Sequence, residues 1–426
     1  MQLLVLRLHL EPGSSLDRSL QAVSRHLGKI LEEGVREGYI RVWAYPRVES
    51  IIAGGVLSAI SSSIGVRPLY KVSVFPPSQI DTPTIILGYS NPDYKATQVN
   101  STLLSLSPEA SAPPPPGAVY VTGEGSVAGI LGLLLHEQKN AYSRRELLLL
   151  LLSASYYGGY VEKTGRFHGL DRAFYEALSA KTPEIDVVNT LKVYNPDKTG
   201  LCDAISMTID PYYPSLTGDP DACKSLLRAN ELEDLSDRIV SSLSEKELEK
   251  AALTILSHIQ GIVKGRLEAS DYIGSIVLYR SIGVDARLLA NSIVHFLDSL
   301  GDPAIVQSIV YDPETLIQAL TRSHVASASD FADYVENTRL VKAKLHSWLR
   351  GYMVGDPHGH SPLLLWRALK LKGLVEAEPL IIDRNGKNCV SALQVEEAKG
   401  YGEARKLVSV KAAREDGLWL CVEENA

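Results

Sequence analysis

The chain has 426 residues, 45% of them hydrophobic, and 43 Lys and Arg against 50 Asp and Glu give it a formal charge of −7. A chain of this size buries two or three ordinary cores, and no apolar run is long enough for a helical membrane span. The acidic balance argues against tight nonspecific DNA binding, whose affinity comes from neutralising phosphates with Lys and Arg, so protein partners are expected first and a local basic groove is left open.

The opening MQLLVLRLHL is short, ends in polar residues and lacks a small-residue cleavage site. It reads as a strand rather than a signal peptide, and a cytosolic location is expected. Helical periodicity follows over residues 16–34. Residues 41–60, RVWAYPRVESIIAGGVLSAI, read as a short apolar strand, a turn and a helix of small and β-branched residues. Strands and helices then alternate to about residue 185, with apolar runs at 84–87 and 102–108, a βαβ pattern that predicts a parallel sheet. The proline run 113–116 marks an exposed loop. A strand is expected at 118–121, followed by Gly123-Glu124-Gly125-Ser126-Val127-Ala128, which satisfies the G-x-G-x-x-A dinucleotide-binding turn. The next segment, 144–153, is helical rather than a strand with an acidic end, so a plain helix N-terminus is the simpler reading and a nucleotide-binding regulator the rarer one. The capping-box pattern Ser143-Arg144-Arg145-Glu146 opens that helix, and its leucines at 147–152 read as a buried turn.

Residues 190–262 hold DPYYPSLTG at 210–218 and a charged helical stretch, 232–259, suited to bridging two domains. A helix is expected from about 265, in RLEASDYIGSIVLYRSIG, and strands near 379–382, 389–394 and 418–422 suggest a smaller mixed sheet. Cys202, Cys223, Cys389 and Cys421 are far apart and in no metal-type spacing, which predicts reduced thiols. Asp356, His358 and His360 in GDPHGH could ligate a metal through alternate residues, although a solvent loop is the simpler reading. His168, beside Gly169 and Asp171, is more simply packed or exposed than catalytic.

The strand–turn–helix at 41–60 resembles the first motif of the DHH phosphoesterase superfamily, to which RecJ-type exonucleases belong and in which the strand ends in H-x-D-x-D-G. Here the hexad is Tyr45, Pro46, Arg47, Val48, Glu49 and Ser50. Hard divalent cations need converging carboxylates and imidazoles, and Arg47 places a permanent cation where a ligand would stand. Only Glu49 keeps a carboxylate, and Arg47 is expected to pair with it. The same loss recurs. The second-motif aspartate is replaced in Gly88-Tyr89-Ser90, Ser105, Leu106 and Ser107 correspond to Asp-His-His, and the fourth aspartate is missing near Tyr157. The helix FHGLDRAFYEAL (167–178) keeps family character, and 210–218 with 221–228 is similar to the insertion of archaeal RecJ-like proteins. In the DHH-associated domain the S-x-R strand reads Ser391, Ala392, Leu393, and the Gly-His loop reads Gly400, Tyr401, Gly402, Glu403.

The resemblance covers roughly residues 36–426 and is to the catalytically inactive branch, the archaeal counterpart of the cell-division-cycle forty-five proteins. It implies an α/β chain: a DHH-type parallel-sheet domain at 1–189, a helical inter-domain region at 190–262, and a smaller mixed-sheet DHH-associated domain at 263–426. It also implies a nucleoid-associated replication scaffold joining the GINS complex to the MCM helicase. Single-stranded DNA would be held weakly, and no catalytic residue, metal or cofactor is expected. The competing expectation is an active phosphoesterase or single-strand exonuclease using displaced ligands, Glu49 with His168 or the pair His358 and His360.

Overall fold

The computed structural model describes residues 4–8, 15–89, 97–107, 118–137, 144–161, 166–264, 267–344, 349–409 and 413–422. The proline run 113–116, and with it Ser90 and Ser143, lies outside the described residues. The chain divides into two compact units. One is Met1–Tyr160 with Phe167–Pro183 and Asp302–Leu316, and the other is Val161–Arg166 with Glu184–Gly301 and Ile317–Ala426. Among the described residues no helix is long and apolar enough to cross a membrane.

The first unit is built on a sheet of β1 (Leu4–Leu8), β2 (Tyr39–Ala44), β3 (Arg67–Val72), β4 (Thr84–Leu87), β5 (Leu103–Ser107) and β6 (Ala118–Gly123). Its spatial order is β1-β6-β5-β4-β2-β3, and every pairing is parallel. Every residue of β4 and β5 is buried, as continuous apolar strands in a sheet covered on both faces should be. The helices are α1 (Ser15–Glu37), α2 (Val48–Ser63), α3 (Val127–Glu137), α4 (Arg145–Ala154) and α5 (Gly169–Lys181). α4 begins after Arg144 without a side-chain cap, and its six leucines are all buried. The small residues of α2 allow close approach. A Cβ on Gly54 would lie 2.5 Å from the Tyr70 ring, and one on Gly55 would lie 2.4 Å from Val306. Val306 belongs to the helix Ala304–Tyr311, which joins this unit from far along the chain, and the Ser62 and Tyr311 hydroxyls meet at 2.6 Å.

The second unit opens with β7 (Ile185–Leu191), paired antiparallel over seven residues with β8 (Ile273–Tyr279), which continues to β9 (Val284–Asp285). The helix expected from about 265 is therefore corrected to one short turn, Ala269–Tyr272, and a strand. The β-branched and aromatic run in IGSIVLY fits a pleated, half-buried surface once β7 supplies the partner. The charged stretch 232–259 is likewise not one helix. Two 3-10 turns, Glu233–Leu235 and Val240–Ser242, precede the helix Glu245–Ile262, which opens on a Ser244–Glu247 capping box. Leu201, Tyr213, Leu227, Ile255 and Ile259 pack with Leu191 and Tyr272 into one core.

A six-stranded mixed sheet completes this unit: β10 (Val341–Lys344), β11 (Arg350–Val354), β12 (Leu380–Arg384), β13 (Lys387–Ser391), β14 (Ala413–Asp416) and β15 (Trp419–Val422), in the order β10-β11-β12-β13-β15-β14. Only β11 and β12 run parallel. The parallel sheet, helical middle and mixed C-terminal sheet make up the expected α/β fold class. β13 ends at Ser391 rather than 394, because Ser391 accepts from the Gln394 N–H and starts the helix Ala392–Lys399.

The expectation of reduced thiols is overturned. Cys202–Cys223 and Cys389–Cys421 are disulfides, with Cα atoms 5.4 and 4.0 Å apart. Cys202 and Cys223 lie on the packed helices Leu201–Met207 and Pro220–Ala229, while Cys389 and Cys421 face each other directly on β13 and β15. Separations of 21 and 32 residues carry no trace of this proximity.

Candidate functional site

Parallel pairing sets Ala44, Leu87, Leu106 and Val121 side by side across β2, β4, β5 and β6. The residues that follow them therefore line the carboxyl edge of the sheet. After β2 the chain moves to β3 on one side, and after β4 it moves to β5 on the other. The gap between β2 and β4 is thus the point where an open α/β sheet forms its ligand crevice. Tyr45, Arg47, Glu49, Gly88, Ser105, Leu106 and Ser107 all fall at this edge or on the turn leaving it.

Tyr45 is fully buried, and its ring meets the Tyr89 edge at 5.2 Å and 75°. Its N–H donates to the Leu87 carbonyl at 2.9 Å, as the Gly88 N–H does to Leu106 at 2.8 Å. Gly88 has φ +81°, and a Cβ there would lie 2.3 Å from the Ser50 Oγ and 3.3 Å from the Tyr45 Cβ. No aspartate fits in its place without moving α2. Ser105, Leu106 and Ser107 are buried on β5, with the two serines on one face and the leucine on the other.

Arg47 stands at the N-cap of α2 and closes on Glu49 in the first turn, Nε to Oε1 at 3.0 Å. The Glu49 side chain is only 2% exposed. A carboxylate at a helix N-terminus faces the positive end of the dipole, and here it also faces a guanidinium. A Cβ on Gly158 would come within 3.3 Å of the Glu49 carboxyl carbon. The turn Ser155–Tyr157, with Tyr157 half-buried, thus ends against the same carboxylate.

Asp171 is a buried carboxylate outside the positions compared with the DHH motifs. It is fully buried on α5 and accepts from the Ser126 N–H at 2.5 Å and from the Ser126 hydroxyl. Burial raises its pKa, against the lowering effect of hydrogen bonds from Ser126 and Ser155. Added Cβ atoms on Gly125, Gly129 and Gly159 would sit 2.6, 2.4 and 2.0 Å from this carboxyl group. The G-x-G-x-x-A turn is therefore an anion slot already filled by the chain's own carboxylate, and a phosphate has no room there. The signal in the sequence was the three glycines, small for a reason that the fingerprint alone does not give.

The other candidates disperse. His168 is exposed, with Nδ1 2.7 Å from the Gly159 carbonyl oxygen. Asp356 and His358 are exposed, and Asp356 accepts from the His358 N–H at 2.9 Å. His360 corrects the solvent-loop reading. It is buried, with its ring 5.9 Å from His295, which in turn lies 5.1 Å from His324. The His324 Nε2 meets the Tyr194 hydroxyl at 3.1 Å. Burial lowers the pKa of all three histidines, that of His295 to about 4. Leu393 belongs to the second unit, buried in the first turn of Ala392–Lys399.

These residues do not fit the divalent metals of a phosphoesterase. The Glu49 carboxylate is engaged by the permanent cation of Arg47, and the buried Asp171 carboxylate by Ser126. Among the described residues no three His, Cys, Asp or Glu side chains are grouped to hold a metal ion.

No family model and no curated protein matches this sequence. Among solved structures the chain is similar to CDC45 from Entamoeba histolytica, with 8% identity and a TM-score of 0.58 over 98% of this chain and 96% of that one. RecJ from Thermus thermophilus in complex with Mn2+ aligns at 13% identity and a TM-score of 0.35, over 98% of this chain and 53% of that one. An exonuclease RecJ bound to manganese aligns at 14% identity and a TM-score of 0.34, over 86% and 81%. The chain thus shares, along nearly its whole length, the fold of the Entamoeba CDC45.

Proposed function

We propose that this protein is a non-catalytic DNA replication factor, a scaffold that joins GINS to the MCM helicase at the fork. The observation that carries this reading is the likeness in fold to CDC45, which extends over 98% of the chain. The sheet edge supports it. Tyr45, Arg47, Glu49, Gly88, Ser105, Leu106, Ser107 and Tyr157 are read as degenerate motif positions, with Leu393 their counterpart in the second unit. Losing ligands while keeping the layers that held them preserves outer surfaces for binding.

The test is reconstitution with purified GINS. A stable complex buries on the order of 1,200 Å2 or more, around apolar and aromatic anchors. Partner at about 100 times its dissociation constant adds about 2.7 kcal/mol to stability, which reads as a rise in melting temperature. Comigration on gel filtration with that rise is expected. Failure of both, with nanomolar binding of single-stranded DNA by the isolated chain, would replace the scaffold with a DNA-processing role.

A further inference from the structure

The two disulfides differ in what surrounds them. Cys202 and Cys223 are both fully buried and pack with Leu201, Leu227 and Ile255, so no reagent reaches their sulfurs while that core is folded. Cys389 is fully buried as well, but its partner Cys421 is half-exposed on β15. The register places Cys421 between Cys389 on β13 and Arg414 on β14, so the three residues form one row on a single face of the sheet. Arg414 is exposed and makes no ion pair among the described residues. Lys387, two residues before Cys389, adds a second exposed cation to that face. The carboxylate of β14 on the same face, Asp416, lies at the other end of the strand, opposite Trp419 and close to Arg384. β15 is also held unevenly. Just before it begins, the Leu418 N–H donates to the Gly301 carbonyl at 2.9 Å and the Ala392 N–H to the Leu418 carbonyl at 2.8 Å. The Trp419 ring packs on Gly301, with the Arg384 guanidinium 4.3 Å from its centre. Pairing with β13 covers three residues, and the last of them, Cys421, carries the bridge.

We propose that the Cys389–Cys421 bridge is a site of thiol–disulfide exchange, a clasp that thiol reductants open to release the Cys421 end of the hairpin β14–β15 from β13. A thiolate attacks the accessible sulfur, that of Cys421, and the S–S bond breaks with its electron pair left on the Cys389 Sγ, which takes a proton. A second thiol of the reductant then attacks the mixed disulfide, displaces the Cys421 Sγ and closes the reductant's own disulfide. Two electrons and two protons have passed to the protein, which now holds two thiols. The Arg414 guanidinium beside Cys421 draws the attacking anion to this sulfur. Once the bridge is open, β15 keeps its anchor at Leu418 and Trp419 and frays from Cys421, which turns the start of β13 into an open sheet edge. Cys202–Cys223, sealed in its core, stays closed under the same conditions. The clasp uses none of the positions compared with the DHH motifs, so it is independent of the scaffold reading.

The test treats the oxidised, folded protein with dithiothreitol, traps thiols with iodoacetamide at intervals and locates them by mass spectrometry. Cys389 and Cys421 are expected to be labelled at least about ten times faster than Cys202 and Cys223. After reduction the amides of residues 413–422 should exchange hydrogen at least about tenfold faster, with those of β7 and β8 unchanged. Cys389→Ser with Cys421→Ser should show the same fast exchange at 413–422 without any reductant. Arg414→Glu is expected to slow opening by glutathione, an anionic thiol, at least about threefold more than opening by cysteamine, whose ammonium offsets its thiolate. Equal labelling of the two bridges, or labelling only in denaturant, overturns the site. Unchanged exchange at 413–422 in both the reduced parent and the double variant overturns the clasp, and an equal effect of Arg414→Glu on the two thiols overturns the part given to Arg414.

Discussion

Gly88→Ala tests how tightly the carboxyl edge of the first unit's sheet is packed. The substitution meets two penalties. At φ +81° an L-residue costs about 1–2 kcal/mol over glycine. The new Cβ also lies 2.3 Å from the Ser50 Oγ, and overpacking of this kind costs about 1–3 kcal/mol. The expected loss is therefore about 2–5 kcal/mol, a large fraction of the 5–15 kcal/mol typical of a folded domain. The Ser50 Oγ is buried without a hydrogen-bond partner, so Ser50→Ala alone should change stability by less than about 0.5 kcal/mol. In the double variant the 2.3 Å contact is gone and the Ser50 Cβ at 3.1 Å remains, so about 1–2 kcal/mol should return while the backbone penalty persists. Equilibrium urea unfolding measures all four corners of this cycle. A single variant within about 0.5 kcal/mol of the parent, or a cycle with no coupling, would refute the reasoning. Gly88→Asp carries the same Cβ and buries a carboxylate besides, so it should weaken the fold at least as much as Gly88→Ala.

Magnesium, manganese and cobalt should support no release of nucleotides from single-stranded DNA, and chelator should leave the melting temperature unchanged; a chelator-induced drop of several degrees, or release abolished by Glu49→Ala, would contradict the metal-free reading of the site. Burial, with His360 nearby, holds His295 at about 4, against about 6.5 for an unfolded histidine. Its contribution is complete above about pH 6.5 and is lost as pH falls through about 4, some 3 kcal/mol in all. His295→Gln should flatten the acid side of the stability profile by that amount. Asp285, raised to about 6 by burial, acts in the opposite direction and cancels in the difference between the two proteins. Cys202→Ser with Cys223→Ser opens a loop of 21 residues and should cost about 3 kcal/mol of urea stability. Equal stability of parent and variant under oxidising conditions would mean that this bridge contributes nothing.

The order of the first unit was legible because its strands are short apolar runs separated by turn residues. β4 has the bounds expected for it, 84–87, and the helix expected over 167–178 is found as α5, Gly169–Lys181. β8 was misread because IGSIVLY is apolar enough for a buried helix, and only its seven-residue pairing with β7 decides the matter. The disulfides were missed because proximity between packed helices, or across a strand pair, does not appear in linear spacing. The sequence does not show that Tyr45, Gly88 and Ser105 to Ser107 meet at one sheet edge, which the parallel register decides, and the ion pair of Arg47 with Glu49 is only a suggestion until the helix brings the two residues round. Asp171 stayed hidden because its partners, Ser126 and three glycines, come from separate segments. His360 looks like a loop residue because Asp356, His358 and Gly359 just before it are exposed, whereas His295, Phe331 and Tyr334 pack round it from other helices.

The helix Ala304–Tyr311 gives this chain an unusual order of assembly. Val306 fills the space that Gly55 leaves on α2, and Tyr311 reaches Ser62, yet residues 184–301 of the other unit are synthesised in between. The emerging first unit must therefore wait, with that face of α2 open to solvent or to a chaperone, while more than a hundred further residues leave the ribosome. Its completion is tied to the translation of its neighbour, so cutting after residue 183 yields an unfinished unit rather than a smaller protein.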